Sequence, residues 1–379
     1  MALTQAPASI PAMVLQRAAA SGSATILRKK DRGIWKSVSW SELSARMQQA
    51  GVALKAMGFR PGDVAAVLAE TRPEWVTADL GILSAAGASL GVAPDSSAEQ
   101  VGDVLRDSGC RVLFVENEEQ LDKALAARAR CPALHHIVIF DMVGLRDFSD
   151  PACESFADFL ARGARADEAE RGAWQSGIAA ITQEHPALVQ DAGGRTLTHG
   201  EILQRIADAH TRLSLRAGDE RLALLPMAQV LERIFGLYTA LDAGVVSNYL
   251  ENPDTAIENL QEVQPTVLGA DGAAWAGLHA RITRSAAAAT AVQRLLYRVA
   301  LAAGQRRGAA AWLARALVLR QVRRELGLAR LRIAYSGDTL PPEVNSWTAA
   351  LGITVMQLDA AAPAERTSNR KYGAITVEA

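Results

Sequence analysis

The 379-residue chain is poor in the residues that cross-link small proteins: it has three cysteines, Cys110, Cys131 and Cys153, with no CxxC or Cys/His ligand spacing. A disulfide framework and a structural zinc site are thereby excluded, and reduced thiols in a cytoplasmic compartment fit best. Long apolar runs are missing as well. The stretch at 10–15 has no basic region before it and is broken by Arg17, so it does not read as a signal peptide. The uncharged run at 80–94 is interrupted by glycines and a proline, short of the ~20 apolar residues that a spanning helix needs.

Net charge is nearly absent, with 40 Lys and Arg against 41 Asp and Glu. No whole-molecule field draws in nucleic acid, which is not expected as a partner, and any electrostatic function is local. The common catalytic signatures are also lacking. His135, His136, His185, His199, His210 and His279 form no HExxH or i,i+4 pair and read as structural. No GxSxG elbow, Walker lysine or GxGxxG follows an expected strand, and no lysine occurs between Lys123 and Lys371.

What is present is ample core material, 49% apolar against 21% charged, enough for two or three domains of about 150 residues. SWSE at 39–42 is a capping box in which Ser39 and Glu42 satisfy the first free amides of a helix that Gly58 stops. GDVAAVLA at 62–69 then reads as a buried strand, and strand and helix patterns alternate through 88–92, 97–106, 111–115, 120–129 and 136–140. The charged, alanine-rich stretch at 162–171 reads as a linker or subdomain boundary. Beyond it the alternation resumes: a helix over 198–213, a strand at 221–225, a helix over 230–241, strands at 245–249 and 265–269, and later strands at 331–337 and 353–358 around a proline-initiated helix. The expected architecture is α/β, two packed subdomains over 1–170 and 171–379 with largely parallel sheets.

Residues 273–330 differ in kind. Arg281, Arg284, Arg294, Arg298, Arg306, Arg307, Arg315, Arg320, Arg323, Arg324 and Arg330 stand there against one acid, Glu325, among Leu295, Leu296, Val299, Trp312, Leu313, Leu317 and Leu319. Two readings stay open: a helical hairpin with arginines in water and leucines in the core, or a basic helical insertion lying on an anionic membrane surface.

RGIWKSVSWSEL at 32–43, RPGDVAAVLAETRPEW at 60–75, LPMAQVLERIFGLY at 225–238, ENPDTAIENLQEVQPTVLGA at 251–270 and IAYSGDTLPPEVNSWTAALGI at 333–353 occur in that order. Together they resemble the AMP-forming acyl-CoA synthetases, particularly the long-chain fatty acid–CoA ligases of the adenylate-forming superfamily. The resemblance covers that family's large N-terminal domain. It implies two α/β subdomains with a barrel, incomplete here, and a reaction in which Mg·ATP adenylates a carboxylate before coenzyme A takes the acyl group. The ribose motif, the hinge and the small C-terminal domain with its adenylation lysine would fall beyond Ala379, so the chain reads as truncated.

The family's nucleotide motifs are degenerate. Its Ser/Thr/Gly-rich phosphate loop ends in Pro-Lys-Gly before Leu-Thr-His; here HPALVQDAGGRT at 185–196 precedes Leu197, Thr198 and His199. Gly193, Gly194, Thr196 and Thr198 are the vestigial nucleotide positions that this alignment implies. A two-glycine turn is the other reading of Gly193–Gly194. The family histidine of the Leu-Pro-Leu-x-His-x-x-Glu-Arg stretch is matched by Gln229, which with Tyr238 marks a weak substrate position. Glu232 and Arg233 are expected to pair on a helix surface. Ser336, Gly337 and Asp338 match the Ser-Gly-Gly turn beside the adenine pocket, with Asp338 in place of a glycine. Asp359 to Pro363 stand where Tyr-Gly-x-Thr-Glu would contact adenine and hold magnesium.

The resemblance therefore implies an acyl-CoA synthetase-like protein without catalytic residues, metal site or bound cofactor (the family's being ATP, Mg and coenzyme A). Its partners would be a fatty acid or acyl-CoA, a protein, or a membrane's inner face through 273–330. The alternatives are a working ligase completed by a separate chain and a decaying gene product.

Overall fold

The computed structural model describes residues 6–169, 172–190, 195–305 and 308–358. Its strands form two seven-stranded sheets. An N-terminal hairpin, β1 (Thr25–Asp31) and β2 (Ile34–Ser39), turns through Arg32 and Gly33, both at positive φ, as a two-residue hairpin turn demands. The first sheet holds β3 (Val64–Leu68), β4 (Ala88–Val92), β5 (Val112–Val115), β6 (His136–Ile139), β7 (Cys153–Ser155), β8 (Pro186–Val189) and β9 (Thr196–Thr198). Its order is β7-β6-β5-β3-β4-β8-β9, parallel apart from the closing β8–β9 pair. The second holds β10 (Glu220–Ala223), β11 (Val246–Tyr249), β12 (Val267–Gly269), β13 (Ile333–Ser336) and β14 (Val355–Gln357), in the order β14-β13-β12-β10-β11-β1-β2.

Two compact units follow, and neither is a single stretch of chain. One comprises Met1–Arg28, Ser37–Ser214 and Pro226–Gly244; the other comprises Lys29–Lys36, Leu215–Leu225 and Val245–Ala379. The expected division at 170 differs from this one. The reason lies in the stretch read as a linker: its described part, 162–169, belongs to a helix, Phe156–Ala169, that packs on the Trp40–Ala56 helix. Gly163 makes that approach feasible, because a Cβ there would stand 1.8 Å from the Gln49 carbonyl oxygen. Phe156 and Phe159 meet Phe114 edge-on, at ring distances of 6.3 and 5.4 Å, so the helix's apolar side closes over β5. Polar composition concealed an amphipathic helix.

The helix ends follow the expected chemistry. Ser39 and Glu42 form the capping box, and Thr198 with Glu201 forms another ahead of the His199–Leu213 helix. In the second unit, the hairpin tip is fixed by two carboxylates. Glu251 accepts from the Arg32 and Gly33 amides at 2.7 and 3.1 Å, and Glu262 accepts from Lys30 Nζ at 2.6 Å and Trp35 Nε1 at 3.1 Å.

The described residues of 273–330, between β12 and β13, are largely helical: Gly272–Ala288, Ala291–Gly304, Ala309–Ala314, the π-helical Arg315–Leu319, and Arg320–Glu325. Trp275, Leu278, Ile282, Ala300, Leu319 and Val322 seat them in the second unit's core. Of the apolar residues that the hairpin reading assigns to a core, only Leu319 is buried among the described residues; Leu295, Leu296, Val299, Trp312, Leu313 and Leu317 face solvent. That reading is corrected to this extent. No described helix is long and apolar enough to cross a membrane.

His199 is fully buried in the first unit, where its Nδ1 accepts from the Ile10 amide at 3.3 Å. Burial, with a smaller contribution from His185, pushes its pKa from 6.5 down to about 4. The folded state thus refuses a proton that the unfolded chain accepts. Its stabilising contribution is complete above pH 6.5 and is lost as the pH falls towards 4, amounting to about 3 kcal/mol. His199→Asn keeps an acceptor for Ile10 without the titration. Its urea midpoint should fall less than that of the parent between pH 7 and pH 4.5, and parallel losses would show that His199 does not titrate this way.

Candidate functional site

In open α/β sheets, ligands gather at the carboxyl ends of parallel strands, and helix N-termini there receive anions. In the second unit two such ends meet. After β12 the chain enters the Gly272–Ala288 helix, with Asp271 Oδ1 accepting from the Ala274 amide at 2.7 Å. After β13 it turns through Ser336, Gly337 and Asp338, where Ser336 Oγ accepts from the Asp338 amide at 3.1 Å. Asp338 Oδ2 then accepts from the Gly272 amide at 3.1 Å. The helix amide that an oxyanion would use is taken by the protein's own carboxylate. Burial above all, with a smaller contribution from Asp338, pushes the Asp271 carboxyl above its ordinary range. Among the described residues no group of three His, Cys, Asp or Glu side chains stands ready to hold a metal.

In the first unit, Pro226–Gly244 carries the other motif. Its beginning lies flat on β4: a Cβ on Gly91 would come within 2.6 Å of Ala228 Cα. The helix that follows widens to π geometry over Glu232–Tyr238, with every residue of that stretch buried. Such widenings are rare and are frequent at functional sites.

The expected surface pair of Glu232 and Arg233 is overturned, because both side chains are fully enclosed. Arg233 Nη2 donates to Asp79 Oδ1 at 2.9 Å and to the Ser89 carbonyl at 3.0 Å, and its guanidinium lies 5.1 Å from the centre of the Trp75 ring. Ser89 Oγ donates to Asp79 Oδ1 at 2.6 Å, and the Tyr238 hydroxyl donates to Asp79 Oδ2 at 2.5 Å. Burial above all, followed by Asp79, raises the Tyr238 phenol well above its ordinary pKa. Tyr238 is thus committed to an interior acid, whereas Gln229 is partly exposed one turn before Arg233, whose amide donates to the Gln229 carbonyl at 3.2 Å.

Of the phosphate-loop positions, Gly193 and Gly194 lie outside the described residues. The Gln190 amide donates to the Arg195 carbonyl at 2.8 Å, so β8 and β9 converge as an antiparallel pair on either side of them. Thr196 is exposed, and the Thr198 hydroxyl accepts from the Glu201 amide at 3.2 Å as a helix cap. Asp359 to Pro363 also lie outside the described residues.

A family model described as AMP-binding enzyme matches residues 14–358. The chain belongs to this family. Among its relatives is the long-chain fatty acid–CoA ligase FadD15 of Mycobacterium tuberculosis, 26% identical over 269 residues, which are 69% of this chain and 43% of the relative. Another, the long-chain fatty acid–CoA ligase ACSBG1 of Homo sapiens, is 24% identical over 361 residues, 88% and 49% of the two chains. This AMP-binding-family chain spans about half the length of these relatives. Among solved structures, the adenylation domain of a carboxylate reductase from Mycobacterium chelonae superposes with a TM-score of 0.65 at 16% identity, over 93% of this chain and 57% of that one. The N-terminal domain of FACL13 from Mycobacterium tuberculosis does so at 0.58 and 16%, over 92% and 74%. These neighbours share the α/β fold of the adenylate-forming enzymes' N-terminal domains.

The buried pair admits a direct test. Arg233→Met leaves Asp79 uncompensated and should destabilise the protein by about 3–5 kcal/mol, while Tyr238→Phe, which removes one donor, should cost about 1–3 kcal/mol. Adding Asp79→Leu to Arg233→Met should recover part of the loss in urea unfolding. Strictly additive losses would contradict the coupling.

Proposed function

We propose that this AMP-binding-family chain is an acyl-CoA synthetase-like protein that binds an apolar ligand without adenylating it. The observation that carries the reading is the Asp338 carboxylate on the Gly272 amide, at the turn where the resemblance puts a glycine beside the adenine pocket. Adenylation builds negative charge on phosphate and carboxylate oxygens, and its catalysts work by aiming donors and cations at them. Here a fixed carboxylate stands at the turn, and no lysine occurs between Lys123 and Lys371 to replace the phosphate-loop cation. Loss of one such donor costs about 10²–10³ in rate.

An acyl chain asks less of the protein. Its binding draws on burial of methylenes at about 0.8 kcal/mol each and needs no phosphate cradle. The fatty acid–CoA ligase relatives support a fatty acid or acyl-CoA as the ligand, and a protein partner is the alternative occupant. The basic helices at 273–330 support attachment to an anionic membrane surface, where each arginine contributes about 1 kcal/mol.

Calorimetry against a fatty acid, an acyl-CoA and ATP should give a response to the first two at most, with no ATP–pyrophosphate exchange above a heat-killed control. Micromolar ATP binding with no acyl response, or robust exchange, would reverse the assignment in favour of a working ligase. Cosedimentation with vesicles should rise with anionic lipid and fall with salt.

A further inference from the structure

The Ala291–Gly304 helix is amphipathic with apolar residues on both sides. Its inner side seats Ala300 and Gly304, with Tyr297 half-buried and its hydroxyl accepting from Trp347 Nε1 at 3.2 Å. Its outer side shows Val292, Leu295 and Val299 to solvent, 67%, 56% and 58% exposed. Along one flank runs a groove of about 350 Å³, with Leu296 and Leu317 among its lining and Ile282, Tyr297, Val318 and Val322 as its more buried wall. The groove joins this helix to the neighbouring one, where Trp312 is 66% exposed and Leu317 75%. Apolar side chains held in water over two adjoining helices mark a surface that is covered when the protein works.

The charges around the face select what covers it. Arg294 is used within the fold, donating to the Ala287 and Ala289 carbonyls, and so are Arg315 and Arg323, which donate to backbone carbonyls of this unit. Arg298 is exposed on the Ala291–Gly304 helix, and Arg284, Arg320 and Arg324 are exposed on the Gly272–Ala288 and Arg320–Glu325 helices, which also line the groove. The one acid in 273–330, Glu325, lies at the groove and receives the Gln321 amide at 3.3 Å. Arginines bordering a solvent-facing apolar strip complement a lipid layer with negative head groups and a hydrocarbon interior.

We propose that this face inserts shallowly into an anionic lipid leaflet, with Leu295, Val299 and Trp312 among the acyl chains, the exposed arginines at the head groups, and one lipid chain in the groove. The proposal rests on the membrane reading above and goes beyond it, from electrostatic adsorption to insertion.

The test uses the full chain and phosphatidylglycerol–phosphatidylcholine vesicles with brominated acyl chains. Tryptophan fluorescence should be quenched on binding, and Trp312→Phe should remove most of that quenching. The doubly substituted Leu295→Asn, Val299→Asn protein changes only exposed positions, so its thermal unfolding should match the parent. Its vesicle affinity should fall on the order of tenfold or more, given the burial energy of such side chains. Leu296→Trp, which fills the groove from its rim, should weaken binding with the outer strip intact, and an unchanged affinity would remove the groove from the proposal. Salt-sensitive binding without quenching, unaltered in the double variant, would overturn insertion and leave adsorption standing. No binding at any anionic content would overturn both, and capture by an acidic protein in place of vesicles would replace the leaflet as occupant.

Discussion

An arginine in an apolar interior needs a counter-charge, and Arg233 finds one in Asp79, its Nη2 donating both to that acid and to the Ser89 carbonyl while Nε and Nη1 are enclosed without an oxygen partner. Ser89 and Tyr238 complete the acid's hydrogen bonds, and Trp75 covers the guanidinium. This one charge pair ties together distant parts of the first unit. It fastens Pro226–Gly244 to the helix and strand that carry Asp79 and Ser89, although β10 and β11, on either side of that segment in sequence, belong to the second unit. The same segment carries the π-helical widening at Glu232–Tyr238 and the close approach of Ala228 to Gly91.

In the second unit a carboxylate sits instead at a strand end, on a helix amide. The carboxyl edge of its parallel strands offers the usual geometry for an anion, yet Asp338 occupies the helix amide and crowds Asp271. The scaffold of an AMP-binding domain is kept, and at this edge one side chain in a turn, Asp338, holds a helix amide.

Strands were legible in the sequence because buried parallel strands are short apolar runs, as with VLFV at β5, and helix starts were legible because capping boxes are local. The helix at 156–169 was not: its polar face dominates the composition, and its apolar side makes sense only against β5. Glu232 and Arg233 misled for a related reason, since an adjacent acid and base look solvent-directed until the distant Asp79 is brought in. That both open a π-helical stretch left no mark in the pattern. Gln229 and Asp338 were picked out by comparison with family motifs, whereas nothing in the sequence could tell that the leucines at 295 and 317 would face water, because helical periodicity fixes spacing and not the direction of the face.

The hairpin tip clasped by Glu251 and Glu262 has a consequence for synthesis. The Arg32 amide and the Glu251 carboxylate are 219 residues apart, so at about 5–20 residues per second the finished tip must wait roughly 10–40 s for its acceptor to leave the ribosome. Throughout that interval β1 has an open edge, because its partner β11 has not been made. Neither unit can be completed before the other has begun. A nascent chain of this design spends its early life with an unsatisfied strand edge, a ready template for pairing with another chain.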